Sequence, residues 1–225
     1  FENLLSTSIE LEMSGNNQLK EGQYVKAFAT FYRAIVAQEE ASGQYHLSTS
    51  NLYSNAARAL LRSGQNDRAL KKYREFLVVH QSAFGLNHPS SQPALEGIGD
   101  ALTSKRVKLE RANEYRQKVV TSVAHELTGD SKIQEGLYDQ AMTSYERALR
   151  IEQEMLGESY LTTAGILEKI ATASRLRGEH YKAILTCRLS IQVYQSYSEP
   201  EYGDIDRTLK NLSQSIRALG FTDSI

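Results

Sequence analysis

Small and aromatic residues recur along a largely polar chain at fixed intervals. The spacing is a small residue, a glycine seven positions later, an aromatic residue two further on, an alanine after three more, a second aromatic after four and a small residue after three. One instance comprises Gly15, Gly22, Tyr24, Ala27, Phe31 and Ala34. A second full copy is centred on Gly136, looser copies are centred on Gly64 and Gly178, and the C-terminus supplies a half-copy, Ser213 with Gly220 and Phe221.

This spacing predicts a helical hairpin. The central glycine ends the first helix, because glycine adopts a positive φ at little cost. The alanine lets the second helix approach the first closely, and the aromatic residue four positions later lies on the same face and fills the gap. One hairpin cannot bury its apolar face alone, so neighbouring hairpins must stack.

The turn glycines repeat with a period of 42 residues, both from Gly22 to Gly64 and from Gly136 through Gly178 to Gly220. Long connectors follow the second helices, "SAFGLNHPSSQPAL" at 82–95 and "EMLGESYLTTAGIL" at 154–167. Both look like a Leu-Gly-x-x-His-Pro-x-x-Ala connector, although the second has Tyr-Leu in place of His-Pro. With these features the chain resembles the tetratricopeptide repeat family, in the 42-residue subclass found in kinesin light chain.

The resemblance implies an all-α fold, a right-handed α-α superhelix of about five hairpins plus a C-terminal capping helix. We expect one solenoid over residues 1–225, with the first helix of each hairpin on the concave side. The repeats are expected at roughly 1–43, 48–82, 91–121, 122–156 and 162–197, and the cap at 204–219.

The third repeat departs from the pattern in "KRVKLERANEYRQKVV", residues 105–120. Ala112 stands in the alanine slot, but Val107 and Lys108 replace the turn glycine. Only 29 residues separate Val107 from Gly136. Either the second helix of repeat three fuses with the first helix of repeat four, or linker sequence is missing or altered. The long connectors elsewhere favour the second alternative.

Composition and charge are those of an ordinary globular protein, with 40% hydrophobic residues, 24% charged residues and a net charge of −1. We therefore expect no nucleic-acid partner. Cys187 is the single cysteine, which favours a reducing, intracellular compartment, cytoplasmic or organellar. No apolar run is long enough to span a membrane. The chain starts at Phe1 rather than Met, so we expect an incomplete N-terminus.

The pattern of reactive residues indicates a non-enzymatic protein without metal or cofactor. No histidines lie at metal-ligand spacing, and neither a phosphate-binding glycine loop nor a G-x-S-x-G motif occurs. His88-Pro89 belongs to a connector, and His125-Glu126 is expected to be a solvated pair on a helix. Cys187 stands in an aromatic slot of the template, so we expect a core thiol rather than a nucleophile.

The family resemblance implies which side chains face the concave groove. With the turn glycine as position 15, these are positions 2, 5, 6, 9, 12 and 13 of each first helix. Asn55 and Asn211 occupy position 6, where kinesin-light-chain-like repeats hold a peptide backbone with asparagine. The predicted partner-binding residues are Asn51, Asn55, Arg58, Arg62, Lys169, Thr172, Arg175, Lys210, Asn211 and Gln214.

The excess of cations in this set predicts a mildly basic groove toward the C-terminal end, suited to an acidic or phosphorylated protein segment. The alternative is that these cations are ordinary solvated residues of the helices, which contribute little to binding. Few acids join them: Glu12, Glu126, Asp130 and Glu168. The leading hypothesis is thus a protein-interaction scaffold. The alternative is a structural subunit held permanently in a larger complex through its outer surfaces, which predicts an exposed apolar patch.

Overall fold

Regular structure is entirely helical in the residues that the computed structural model describes, which are 2–43, 46–85, 88–103, 109–157, 160–197 and 202–220. The α-helices are α1 Glu2–Lys20, α2 Tyr24–Ser42, α3 Ser50–Arg62, α4 Asn66–Phe84, α5 Gln92–Thr103, α6 Leu109–Gln134, α7 Tyr138–Leu156, α8 Leu161–Leu176, α9 His180–Gln195 and α10 Tyr202–Ala218. Short 3-10 helices at Leu47–Thr49 and Pro89–Ser91 precede α3 and α5. The expected all-α class is confirmed for these ranges.

The chain divides into two compact units, residues 1–120 (unit 1) and 121–225 (unit 2). Unit 1 contains the hairpins α1/α2 and α3/α4, followed by α5 and the first part of α6. Unit 2 contains the rest of α6 with α7, the hairpin α8/α9 and the cap α10. We call the first helix of each hairpin its A helix and the second its B helix. The single right-handed solenoid stays a prediction.

Glycine ends the A helices as the spacing predicts. Gly22, Gly64, Gly136 and Gly178 have φ between 73° and 88°. At Gly64 the next amide, Gln65 N–H, donates to Leu60 O at 2.9 Å, and Gly64 N–H donates to Leu61 O at 3.1 Å. This pair of bonds is the Schellman motif, in which a left-handed residue satisfies the last carbonyls of a helix.

The aromatic slot packs against a small residue of the A helix. Phe31 is fully buried, and a Cβ placed on Gly15 would lie 2.7 Å from its ring. The same relation holds in unit 2, where a Cβ on Gly129 would lie 2.4 Å from Tyr145. A methyl group therefore has no room at either glycine, and the predicted filling of the gap by the aromatic ring is confirmed.

Buried serines also tie the two helices of a hairpin together. Ser8 Oγ donates to Ala34 O at 3.1 Å in unit 1, and Ser122 Oγ donates to Ala148 O at 3.3 Å in unit 2. Each bond lies beside the small residue that ends the template. A buried hydroxyl without a partner would cost free energy, so these bonds fix the hairpin register.

Histidine anchors the connector between α4 and α5. His80, buried on α4, bonds through Nε2 to Ser90 Oγ at 2.9 Å and through Nδ1 to Ser91 Oγ at 3.2 Å. Its ring stacks on Phe76 with centroids 4.9 Å apart. His88 caps the 3-10 helix, as its Nδ1 accepts from Ser90 N–H at 3.4 Å. This places His88 in a structural role in the connector, as the sequence predicts.

The irregular third repeat contains a long helix. α6 runs without interruption over 26 residues, across the predicted junction of repeats three and four. This is the fused helix of the first alternative; the second alternative, that linker sequence is missing or altered, stays untested. The replaced turn at Val107 and Lys108 lies outside the described residues. Arg116 packs its guanidinium against Gly99, where a Cβ would lie 2.0 Å from Nη2.

Candidate partner-binding site

Four of the predicted binding residues lie together on one face of α3 in unit 1: Asn51, Asn55, Arg58 and Arg62. Their spacing of four, three and four residues confines them to a narrow arc of the helix. The opposite face of α3 is buried through Leu52, Ala56 and Leu60. Among the residues that the structure describes, none of the four side chains forms a hydrogen bond or an ion pair.

The neighbouring A helices complete this surface, since α3 packs against both α1 and α5. Ile9 and Met13 of α1 are exposed at the helix positions that Asn51 and Asn55 occupy in α3. Asp100 is exposed on α5. We name Asn51, Asn55, Arg58 and Arg62 together with Ile9 and Met13 the α3 surface.

A buried tyrosine reports the charge of this region. Burial raises the pKa of Tyr73 to about 12, the Asp100 carboxylate also raises it, and the Arg58 and Arg62 guanidinium groups lower it. The phenol thus lies within electrostatic reach of both arginines and of Asp100. The Tyr73 ring packs against Gly97 of α5.

Lys169, a predicted binding residue in unit 2, is paired inside the protein. Its Nζ lies 2.7 Å from Asp130 Oδ2 and 3.3 Å from Glu126 Oε2, both on α6. Tyr145 OH donates to the other oxygen of Asp130 at 2.7 Å. Glu126 is buried, which corrects the expectation that His125-Glu126 is a solvated pair. The Lys169 charge is therefore neutralised by α6.

Two more bonds of the same kind join α8 to α10. Arg207 Nε donates to Glu168 Oε1 at 3.1 Å, and Asn211 Nδ2 donates to Thr172 Oγ1 at 3.0 Å. Like Lys169 and Asp130, the partners are 39 residues apart in sequence. We call these three bonds the 39-residue ladder. The offset is the 42-residue period less about one helical turn, so the ladder connects successive A helices.

The remaining predicted residues of unit 2 are Arg175, Lys210 and Gln214. Lys210 and Gln214 are exposed on α10, and Arg175 is half-buried on α8. In the described part of the chain the three side chains form no hydrogen bond or ion pair, and the Nε of Arg175 is buried. The structure thus brings Thr172 and Asn211 into contact and pairs Lys169 with acids, while it leaves Arg175, Lys210 and Gln214 unbonded.

The acids that pair with these cations were visible in the sequence without being recognised as partners. Glu126, Asp130 and Glu168 stood out as exceptions in a basic set, and Asp204, which also pairs with Arg207, was not singled out. Two of these acids, Asp130 and Glu168, stand 39 residues before the cation that they pair with, and this offset is the signal that identifies them as partners. These ion pairs reduce the basic character expected of this part of unit 2.

Two kinds of reactive group bear on chemistry in the described ranges, metal-ligating clusters and the cysteine thiol. No cluster of three or more His, Cys, Asp or Glu side chains is arranged to hold a metal ion there. Cys187 is fully buried, as expected of a core thiol. Burial, followed by the charge of Glu168, raises its pKa to about 11, so that the thiolate nucleophile is suppressed. Within the same ranges, no helix has the length and apolarity of a membrane span.

Comparison with known proteins finds similar helical-repeat structures. No protein-family model matches the chain, and no curated protein matches it. The crystal structure of BtubC (BKLC) from P. vanneervenii is 15% identical with a TM-score of 0.38, over 96% of this chain and 74% of that one. A putative kinesin light chain of Podosopora anserina with nearly identical TPR-like repeats is 14% identical with a TM-score of 0.37, over 94% and 86% of the two chains. The helical hairpins themselves, whose A helices end at a turn glycine, show that this chain is built from all-α repeats.

Proposed function

We propose that this protein is an interaction module that binds a segment of a partner protein on the α3 surface. The observation that carries the proposal is the difference between the two sets of predicted residues. In unit 2, three of the six are engaged in bonds within the protein. On α3, the two amides and two guanidinium groups have no bonding partner among the described residues; Asn51, Arg58 and Arg62 are exposed and Asn55 is half-buried.

The chemistry of the α3 surface fits an extended acidic segment. An asparagine amide both donates and accepts, which matches a peptide unit. Arg58 and Arg62 lie one turn apart and can each bind a carboxylate or phosphate through two parallel N–H groups. Ile9 and Met13 offer apolar area for one hydrophobic side chain. The partner segment thus combines an apolar residue with acidic or phosphorylated residues.

The test is affinity capture with the Arg58→Glu/Arg62→Glu variant, quantified by mass spectrometry. The matched control is Lys26→Glu/Arg33→Glu, which makes the same change of charge at two exposed residues of α2. Hydrogen bonds to charged groups contribute about 1.5–3 kcal/mol each, so we expect at least a tenfold loss of affinity. Partners lost with the α3 variant and retained by the control support the proposal, whereas partners kept by both variants refute it.

The second candidate is a structural subunit that contacts its complex through an outer face. One observation favours it, an exposed apolar stripe on α9 formed by Tyr181, Leu185 and Leu189. The two candidates differ in the surface used, and the α3 variant leaves α9 unchanged.

A further inference from the structure

The B helix α9 in unit 2 carries three large apolar side chains that face solvent. Tyr181 is 70% exposed, Leu185 61% and Leu189 52%. Their spacing of four residues aligns them on one face, along about 12 Å of helix. The other face of α9 is buried through Ala183, Cys187 and Tyr194 and holds the helix in the unit. We name Tyr181, Leu185 and Leu189 the α9 stripe.

The other hairpin of unit 2 does not require apolar residues at these places. The stripe stands three, seven and eleven residues after the turn glycine. The corresponding residues of α7 in the same unit are Asp139, Thr143 and Arg147, all exposed and polar. The fold thus accepts polar side chains here, and packing within unit 2 does not explain the apolar ones. Contiguous exposed apolar area on a soluble protein marks an interaction site.

The charges beside the stripe specify the partner. α9 contains no Asp or Glu, and its two formal charges, Lys182 and Arg188, lie on opposite sides of the stripe. Lys182 is partly countered by Glu146 at 3.6 Å. Arg188 is exposed and forms no ion pair among the described residues. The stripe is thus an apolar strip between two cationic edges.

A second copy of this chain fits the stripe poorly. Antiparallel pairing of two α9 helices about Leu185 would place two arginines along one edge and two lysines along the other. No acid of α9 is present to separate these like charges. An amphipathic helix with acidic residues flanking its apolar face satisfies both edges.

We propose that the α9 stripe is a docking site for an amphipathic helix of a partner protein that carries leucine-like residues at four-residue spacing and flanking acids. The apolar residues pack along the stripe, and the acids pair with Lys182 and Arg188. This surface is distinct from the α3 surface and does not depend on it.

The test uses two designed fluorescent peptides and the full chain. Both peptides are 18-residue alanine-based helices with leucines at four-residue spacing; one has glutamates beside the leucines and the other has lysines. Binding is followed by fluorescence anisotropy. We expect the glutamate peptide to bind at micromolar concentration and the lysine peptide at least tenfold more weakly. Leu185→Gln should weaken the glutamate peptide at least tenfold, and Arg188→Gln should narrow the preference between the peptides.

The control is Val25→Gln on α2. Val25 is 61% exposed, as Leu185 is, and it stands three residues after its turn glycine, as Tyr181 does. Val25→Gln should change binding less than twofold. Circular dichroism checks that each variant keeps its helicity. Three results overturn the proposal: equal binding of the two peptides, weakening of the glutamate peptide by Val25→Gln as large as that by Leu185→Gln, or no binding of the glutamate peptide at millimolar concentration. A dimer seen by sedimentation in the wild type and lost in Leu185→Gln also overturns it, because the occupant is then a second copy.

Discussion

Replacing Lys169 with methionine separates a structural role of this residue from a binding role. Methionine keeps most of the aliphatic length and removes the charge. The carboxylates of Glu126 and Asp130 then lose a cation at 3.3 and 2.7 Å. The Glu126 side chain is only 4% exposed, so water cannot replace the lysine there, whereas Asp130 is 35% exposed and regains hydration.

Breaking one side of a buried ion pair costs about 3–5 kcal/mol. Because Asp130 is partly solvated, we expect Lys169→Met to lower the free energy of unfolding by about 2–4 kcal/mol. The assay is urea denaturation followed by circular dichroism. With a slope of about 1–3 kcal/mol per molar urea, the midpoint falls by roughly 1 M or more. Arg58→Met, at an exposed residue of α3, should change the free energy of unfolding by no more than about 0.5 kcal/mol.

A double-mutant cycle isolates the pair. Asp130→Asn removes the charge of the closer partner, and the combined variant should show a coupling energy of at least about 1 kcal/mol, as expected for groups in direct contact. If Lys169→Met leaves the urea midpoint unchanged, the 39-residue ladder contributes nothing at this position and Lys169 returns to the set of free groove cations.

Three further predictions concern single sites. Gly64→Ala should lower the free energy of unfolding by about 1–2 kcal/mol, because φ is +80° and no atom crowds the new Cβ, so that the strain lies in the backbone alone. Gly64→Asn should lower it less in the same urea assay, and equal losses for the two variants would argue against a backbone origin. Cys187 should react with a thiol reagent at pH 8 only as fast as the protein unfolds, and rapid stoichiometric labelling of the native protein would contradict its burial. Burial, followed by the nearby His88, lowers the pKa of His80 below its ordinary 6.5, so the unfolded chain binds more protons and the free energy of unfolding falls as the pH drops below about 6.5. His80→Gln should lessen that fall, and the variant should fold because Gln38 bonds to Ser48 at the equivalent place in the first connector. An unchanged pH profile would exclude His80 as the source of the fall.

The helical hairpins were predictable because they depend on local rules. Gly22 and Gly64 end their helices in the left-handed conformation that few other residues adopt, and Phe31 fills the space that Gly15 leaves. These constraints act within one hairpin, over fewer than about 20 residues of sequence. The fused helix α6 was not favoured, because the long connectors elsewhere in the chain indicated a linker between repeats three and four, and no local signal in the sequence marks the helix as continuous there.

The candidate site was less predictable, because it depends on contacts between hairpins. Position in the repeat identified Asn55 and Asn211 as equivalent, yet only Asn211 has a threonine of the preceding A helix within hydrogen-bond distance. Likewise Arg58 faces solvent while Lys169 faces two carboxylates. The residue type at one position does not determine whether a side chain is bonded or faces solvent; the residue 39 positions earlier has to be a suitable partner. The α9 stripe follows a regular helical spacing, but its exposure is a property of the packed unit.

The 39-residue ladder has a consequence for protein engineering. Repeat proteins invite extension by insertion of copied modules, on the assumption that modules are interchangeable. Here α10 can form its two ladder bonds only with a module whose A helix presents a glutamate and a threonine, at the places of Glu168 and Thr172, to receive Arg207 and Asn211. A copy of the α3/α4 hairpin inserted before α10 would present Ser54 and Arg58 instead, because these residues stand at the corresponding positions. Arg207 would then face a helix that bears an arginine and no acid, and both substitutions, Ser54→Glu and Arg58→Thr, would be needed to restore the two bonds.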